Sequence, residues 1–432
     1  MRFQVSDIKL LHLLLRGIQT LKPTLKSLSI FLVYCKNMRD QDLRVFSSYI
    51  GKFTQLEAFE FSFDSPPVFS DKELLNLAAV ISKLKSLRTL CLNFGGCPVV
   101  NTISRFFASL QKLQNLSDLS LNFSNCDLFQ AVNHTTESIT AGLMITKTLP
   151  IQKLTLHLST LYHSSDDLSL SRILPQFISL KSLSLYFTKD MSSMPPRNQD
   201  LVVLLACLKE IPHLSLLTLS LENFTQVSAI VGNVGETLKF LTGLAQLKLN
   251  ISGLNCSDSD MMNLCSGLEG LTLLKSLEMG LGWIRHITEK GVDALAKTLK
   301  KLVQVKSLSL NLNGNKFVTN EGFSNFLSSI KSLKNLAHLD LNFSLCLQLS
   351  YESIEELAEA LETFDCLQSI SLDFLGFPRL GTGQDIFQTL FEVLKKKQTI
   401  QDVKLTLCDV SFFGLYPPEV LKFKQRKNFS LD

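Results

Sequence analysis

Cysteine, histidine, serine and the carboxylates do chemistry only at particular spacings, and few of those spacings occur here. The ten cysteines include no Cys-x-x-Cys pair, so they build neither a zinc framework nor a redox dithiol. The seven histidines are scattered; His157 and His163 come nearest to a pair and lack a third ligand at metal spacing. A phosphate loop, a nucleophile elbow and a His-Glu-x-x-His helix are all missing from the sequence. Asp373-Phe374 is followed by Leu375 where a kinase metal-binding aspartate needs Phe-Gly. Gly232 and Gly235, like Gly381 and Gly383, lack the context of a nucleotide loop and read as turn glycines. The expectation is a chain that is not an enzyme, with no catalytic residues, cofactor or metal.

Binding remains. In the stretch from Leu336 to Cys346, Leu339, Leu341 and Phe343 alternate with His338, Asp340, Asn342 and Ser344, the period of a half-buried strand. The polar partners of such leucines line the other sheet face. One row reads Ser62, Asn93, Asn122, His157, Tyr186, Ser220, Asn250, Gly280, Asn311, Asn342, Asp373 and Thr406. The next contains Glu60, Lys248, Glu278, Asp340 and Lys404 among serines and threonines. Glu278, Asn311, His338, Asp340, Asn342 and Asp373 are therefore the candidate protein-binding residues, because Glu278, Asp340 and Asp373 bring negative charge into a neutral carpet, with Asn311, His338 and Asn342 alongside, and would favour a basic segment of a partner. Neither row carries a basic stripe interleaved with aromatics, so nucleic acid is not an expected partner.

The elements that position these residues recur. The first strand leucine or its equivalent falls at Leu28, Phe59, Leu90, Leu119, Leu154, Leu183, Leu217, Leu247, Leu277, Leu308, Leu339, Ile370 and Val403, with gaps of 29 to 35 residues. Between them lie helical patterns, as in Ile354, Leu357, Ala358 and Leu361 with glutamates on the other faces. Each unit is strand, loop, helix, loop, about thirteen times over.

The pattern Leu-x-x-Leu-x-x-Leu-x-Leu-x-(Phe/Leu)-x-x-(Cys/Asn) resembles the ribonuclease-inhibitor-like class of leucine-rich repeats over roughly residues 5–410. It is also similar to the large diverged leucine-rich families of protists. The resemblance implies an α/β solenoid, a horseshoe or arc with an inner parallel sheet and outer helices. It implies that the final Cys/Asn position hydrogen-bonds the turn after the strand. That position holds Cys35, Cys97, Cys126, Asp190, Asn315 and Cys346, but Pro66, Leu161, Phe224, Leu254, Ile284, Phe377 and Val410 elsewhere. Those seven turns are expected to differ in geometry.

Residues 1–22 read as an N-terminal capping helix begun by Ser6, 23–410 as the solenoid, and 411–432 as a C-terminal cap and basic tail. Loops at Asp127–Glu137, Met191–Asp200 and Gly376–Gln384 follow strands and offer a rim that could bind instead of the sheet. Trp283 belongs to that rim and is expected to pack into its turn. With no apolar run long enough to span a bilayer, no membrane is expected as partner, and with unpaired cysteines an intracellular, cytoplasmic setting is. The eight Asn-x-Ser/Thr sequons are discounted, Asn122, Asn250 and Asn342 falling inside expected strands. The net charge of +4 does not suit a ribonuclease clamp, which needs an acidic concave face, and neither a Ran GTPase activator, with its acidic tail, nor an F-box adaptor, with its amino-terminal module, is expected. A protein-interaction scaffold is the leading expectation; a structural subunit of a large cytoskeletal or ciliary assembly is the alternative. The sequence leaves the oligomeric state open.

Overall fold

Each of the thirteen markers lies in a strand, and within each of the two units below the strands pair in parallel with marker opposite marker. The computed structural model describes residues 1–21, 23–33, 35, 37–63, 69–95, 103–122, 124, 134–158, 170–187, 198–221, 230–284, 286–377, 386–409 and 419–424. The chain divides into two compact units, Met1–Leu214 and Ser215–Asp432. In the first, strands β1 (Arg2–Val5), β2 (Ser27–Leu32), β3 (Ala58–Phe63), β4 (Thr89–Asn93), β5 (Asp118–Asn122), β6 (Lys153–Leu158) and β7 (Ser182–Phe187) form a parallel sheet in chain order. They alternate with helices α1 (Ile8–Gly17), α2 (Asp40–Ile50), α3 (Asp71–Ile81), α4 (Ile103–Leu110), α5 (His134–Thr146), α6 (Leu170–Ile173) and α7 (Asn198–Leu208).

In the second unit, β8 (Leu216–Ser220), β9 (Gln246–Asn250), β10 (Ser276–Gly280), β11 (Ser307–Asn311), β12 (His338–Asn342), β13 (Ser369–Phe377) and β14 (Asp402–Asp409) are likewise parallel in chain order. The helices are α8 (Ile230–Leu238), α9 (Asp258–Glu269), α10 (Glu289–Lys301), α11 (Asn320–Ile330), α12 (Tyr351–Glu362) and α13 (Ile386–Lys396). A last strand, β15 (Glu419–Lys424), pairs antiparallel with β14. The fold is thus an α/β solenoid of about thirteen strand–helix repeats.

The strand leucines stack because the register has no offset. Leu310, Leu341 and Leu372 are Cα partners on β11, β12 and β13, and all are buried. Helices cover the leucine-bearing face: Phe46 of α2 stacks on Phe61 of β3 with centroids 4.3 Å apart, and Phe323 of α11 meets Phe343 edge-on at 4.8 Å. Backbone bonds lock the turns too. Lys275 donates to Ala245 O, Lys306 to Lys275 O and Ala337 to Lys306 O, each at 2.8 Å, just ahead of the strands.

Helix starts are tied from one repeat to the next by the first residue of the preceding helix. Asp40 accepts from Ser70 N at 2.9 Å. Asp258 accepts from Thr288 N (2.8 Å), Thr288 Oγ1 (2.6 Å) and Gly291 N (3.1 Å), and Asn320 accepts from Ser350 N (2.9 Å). These bonds satisfy N–H groups that a helix start leaves open.

Several sequence expectations need correcting. The first residues are not only helix: Arg2–Val5 form β1, which extends the sheet, and α1 is capped by Asp7, whose carboxylate accepts from Lys9 N and Leu10 N, rather than by Ser6. Gly232 and Gly235 are not turn glycines. Both are buried in α8, where a Cβ on Gly235 would stand 2.2 Å from Asn263 O of α9, so the close helix contact requires glycine. Of the expected cap and tail, 411–418 and 425–432 lie outside the described residues, as do Gly381 and Gly383 and most of the three loops after strands.

Leu341→Ala is expected to lower the unfolding free energy by about 2–5 kcal/mol, the range for emptying a packed leucine site; urea titration followed by circular dichroism measures it. A second expectation concerns acid. Burial alone would raise the Asp258 carboxyl, but the bonds from Thr288 and Gly291 and the Lys290 charge outweigh it and hold it below the ordinary value of 3.8. A depressed carboxylate contributes stability that is fully present above 3.8 and is lost as pH falls through the lower folded value. Denaturation midpoints below that pH are expected to fall less steeply in Asp258→Asn than in the wild type.

Candidate functional site

The strand register places the six candidate residues on the helix-free face of the second unit, but on different tasks. Asn311, Asn342 and Asp373 are Cα neighbours; the first two end β11 and β12, while β13 runs on past Asp373 to Phe377. Their Oδ1 atoms accept from the backbone N–H two residues on: Asn313 at 3.0 Å, Ser344 at 2.9 Å and Leu375 at 3.1 Å. Asp373 also accepts from Ser344 Oγ at 2.5 Å. Asn93, Asn122 and Asn250 do the same for Gly95, Ser124 and Ser252. The row is a set of side-chain turns that shape the strand ends. The sequon residues Asn122, Asn250 and Asn342 are accordingly the last residues of their strands, not mid-strand.

Glu278, His338 and Asp340 lie closer to the strand starts and are exposed. They line a shallow groove of about 690 Å³ across β10–β14, together with Ser309, Ser371, Asp402 and Lys404. Lys248 pairs with Glu278 at 2.6 Å across β9 and β10. Asp340 accepts from Ser309 Oγ at 3.2 Å, and His338 Nδ1 lies 2.8 Å from Ser369 Oγ. The structure therefore unites three of the six and assigns the other three to turns. Asp402 and Lys404 were missed as site residues. The signal was available: Asp402 occupies the same strand position as His338, and Lys404 the same as Asp340.

The turns beyond these strands also depart from expectation. The residue before the Cys/Asn position has positive φ whatever follows it: Gly253 (74°), Trp283 (54°), Gly314 (70°), Leu345 (57°) and Gly376 (70°). Its N–H donates to the next turn at 2.8 Å from Gly253, Trp283, Gly314 and Leu345. Turns followed by Leu254 or Ile284 thus share the geometry of those followed by Asn315 or Cys346, because the backbone ladder holds them. The expected side-chain bond is present at three positions. Asn315 Nδ2 donates to Leu281 O at 2.7 Å, Cys346 Sγ to Leu312 O at 3.2 Å and Cys35 Sγ to Val5 O at 3.5 Å. Cys97, Cys126 and Asp190 lie outside the described residues, as do Pro66, Leu161, Phe224 and Val410.

Trp283 does not pack into its turn. It is 55% exposed, with its indole laid over the Gly314 backbone, where a Cβ would come within 2.5 Å of the ring.

The cysteines Cys35, Cys91, Cys207, Cys256, Cys265, Cys346 and Cys366 are free thiols. Burial pushes Cys207, Cys256 and Cys346 up to about 12 and Cys265 to about 11, which removes thiolate reactivity at neutral pH. Among the described residues no group of three or more His, Cys, Asp or Glu could hold a metal ion, and no helix is long and apolar enough to cross a membrane.

No family model matches the sequence, and no curated protein does. Solved structures do. The chain is similar to one in the crystal structure of the Rad7 and Elc1 complex in yeast, at 16% identity and a TM-score of 0.51, with 88% of this chain and 87% of that one covered. It also resembles the leucine-rich repeat-containing protein LegL7 from Legionella pneumophila at 18% identity and a TM-score of 0.38, over 70% and 86% of the two chains. The fold is that of a leucine-rich-repeat solenoid.

The division of labour on the sheet face has a measurable consequence. Asn342→Ala is expected to cost about 1 kcal/mol by freeing the Ser344 N–H. Asp340→Asn is expected to stay within about 0.5 kcal/mol of the wild type, as at ordinary surface sites. Thermal or urea denaturation of the two variants separates the roles.

Proposed function

We propose that this chain is a non-enzymatic protein-interaction scaffold whose second unit receives a basic segment of a partner on the helix-free sheet face. The observation that carries this reading is the groove itself. It holds the exposed carboxylates Glu278, Asp340 and Asp402 against Lys404, on a floor of serine hydroxyls. Such a surface recognises charge and backbone without an aromatic hot spot, so binding would be modest in affinity and sensitive to salt. Asp373, Asn311 and Asn342 then act indirectly, by shaping the strand ends that border the groove. The exposed indole of Trp283 offers an apolar contact at the far ends of the strands, on the rim opposite the strand starts that line the groove.

The finer resemblance to the ribonuclease-inhibitor-like class is supported by strand–helix repeats and by the bonds of Cys35, Asn315 and Cys346 to the preceding turn. The yeast structure is that of a complex, and we carry over from it only the general role of holding another protein. Unpaired, deeply buried thiols support an intracellular setting.

The test uses a Lys/Arg-rich peptide and its Glu-substituted counterpart, titrated by fluorescence anisotropy at low and high salt. The basic peptide is expected to bind, with affinity falling in high salt. Asp340→Asn combined with Asp402→Asn is expected to weaken it by about tenfold, on the scale of about 0.2–1 kcal/mol for each exposed charge pair. Equal binding of the wild type and the double variant at low salt would remove the groove as the site.

A further inference from the structure

Four successive turns that lead from helix to strand in the second unit are rich in lysine. Residues 239–246, 269–276, 300–307 and 331–338 contain seven lysines and a single carboxylate, Glu269. Lys239 pairs with Glu236 at 2.7 Å and Lys301 with Glu269 at 2.7 Å. Among the described residues no carboxylate lies within ion-pair distance of the other five, Lys275, Lys300, Lys306, Lys331 and Lys334. The backbone bonds from Lys275 to Ala245, Lys306 to Lys275 and Ala337 to Lys306 hold these four turns side by side at one register. Lys275 and Lys306 therefore share one register position on neighbouring repeats, while Lys239, Lys300, Lys301 and Lys331 stand at the helix ends and Lys334 in the turn between.

Three of the same turns expose large apolar side chains. Phe240 is 65% exposed, Leu273 58% and Val303 48%, one from each of three successive repeats. Their neighbours Leu241, Leu274 and Val305 are buried and complete the core, so the exposed three are not needed to fill it. The patch has a defined end. The following turn carries Glu362 and Asp365, and no large exposed apolar residue.

We propose that this edge of the second unit docks on an anionic membrane surface, the lysines facing lipid phosphates and carboxylates while Phe240, Leu273 and Val303 enter the headgroup layer. Charge complementarity selects a polyanion. The apolar side chains between the cations select a lipid surface over a nucleic acid, whose backbone gives them nothing to enter, and the compact ammonium of lysine suits headgroups that need no planar fork. Peripheral docking departs from the sequence expectation of no membrane partner, which rested on spanning segments; it needs no spanning helix, and among the described residues none is long and apolar enough to be one. It uses a different edge from the sheet-face groove and does not rest on that reading.

Flotation with phosphatidylcholine vesicles, with and without phosphatidylserine, tests the proposal on the full chain. The wild type is expected to float with the phosphatidylserine vesicles, to stay behind with phosphatidylcholine alone, and to be released by salt. Lys306→Glu with Lys334→Glu is expected to weaken partitioning by at least about thirty-fold, taking about 1 kcal/mol for each lysine near the surface. Leu273→Ser with Val303→Ser keeps the charge and is expected to weaken it by about tenfold or more, through the lost apolar burial. Both are surface changes, and unchanged thermal melts establish that the variants are folded. Failure of the wild type to float with either vesicle would overturn the proposal. So would equal flotation with both compositions. Wild-type flotation of the serine variant would also overturn it, since charge alone would then suffice and an acidic polypeptide would serve as well.

Discussion

The zero-offset parallel register is the constraint on which the rest depends. A slip of one residue in any strand would move its leucines from the helix-covered face to the open one. With marker set against marker, Leu308, Leu339 and Ile370 form one apolar row and Leu310, Leu341 and Leu372 another. The same register extends past both ends of the strands. At the start it aligns the backbone of Ala245, Lys275, Lys306 and Ala337; at the end it aligns Gly253, Trp283, Gly314 and Leu345. Turns so tied cannot change geometry singly, which explains why a leucine or isoleucine at the Cys/Asn position leaves the turn as it was.

Register also turns a bias in sequence into a surface. A residue type favoured at one repeat position becomes a row. Asparagines at the strand ends become a row of side-chain turns, and lysines before the strands become a cationic edge. The second unit thereby carries two surfaces of different chemistry. Its groove mixes Glu278, Asp340 and Asp402 with Lys404, while four successive helix-to-strand turns are rich in lysine and poor in acid. Opposed local charges in one unit are consistent with a chain of small net charge, and they show why net charge alone says little about what such a solenoid binds.

The strands were legible because period-two leucines repeat at a steady spacing, and no single ambiguous segment had to carry the inference. What stayed hidden lacked that redundancy. Arg2–Val5 is a four-residue strand without a full repeat to mark it. Gly235 looks the same in a turn and at a tight helix crossing; only the approach of Asn263 O distinguishes them. Of the candidate site, the face was legible from alternation, but the division within it was not. Asn342 and Asp340 both alternate with leucines, yet one sits where the chain turns and a backbone N–H two residues on captures it, while the other stays available in mid-strand.

The positive-φ row shows how function can be separated from folding in such a molecule. Three of its five members are glycine, the residue that adopts this conformation without a Cβ penalty. Trp283 and Leu345 occupy the same place at a steric cost of about 1–2 kcal/mol each. The turn does not require them, since its ladder bonds come from the backbone and form equally at Gly253 and Gly314. The indole gains a contact with the Gly314 backbone but leaves most of its surface in water. A strained, exposed tryptophan at a position that glycine serves well is poorly explained by stability. Strain of this kind concentrates where a side chain is held for a purpose, and the exposed indole stands at the strand-end turns, away from the strand starts that line the groove, where it offers an apolar surface of its own.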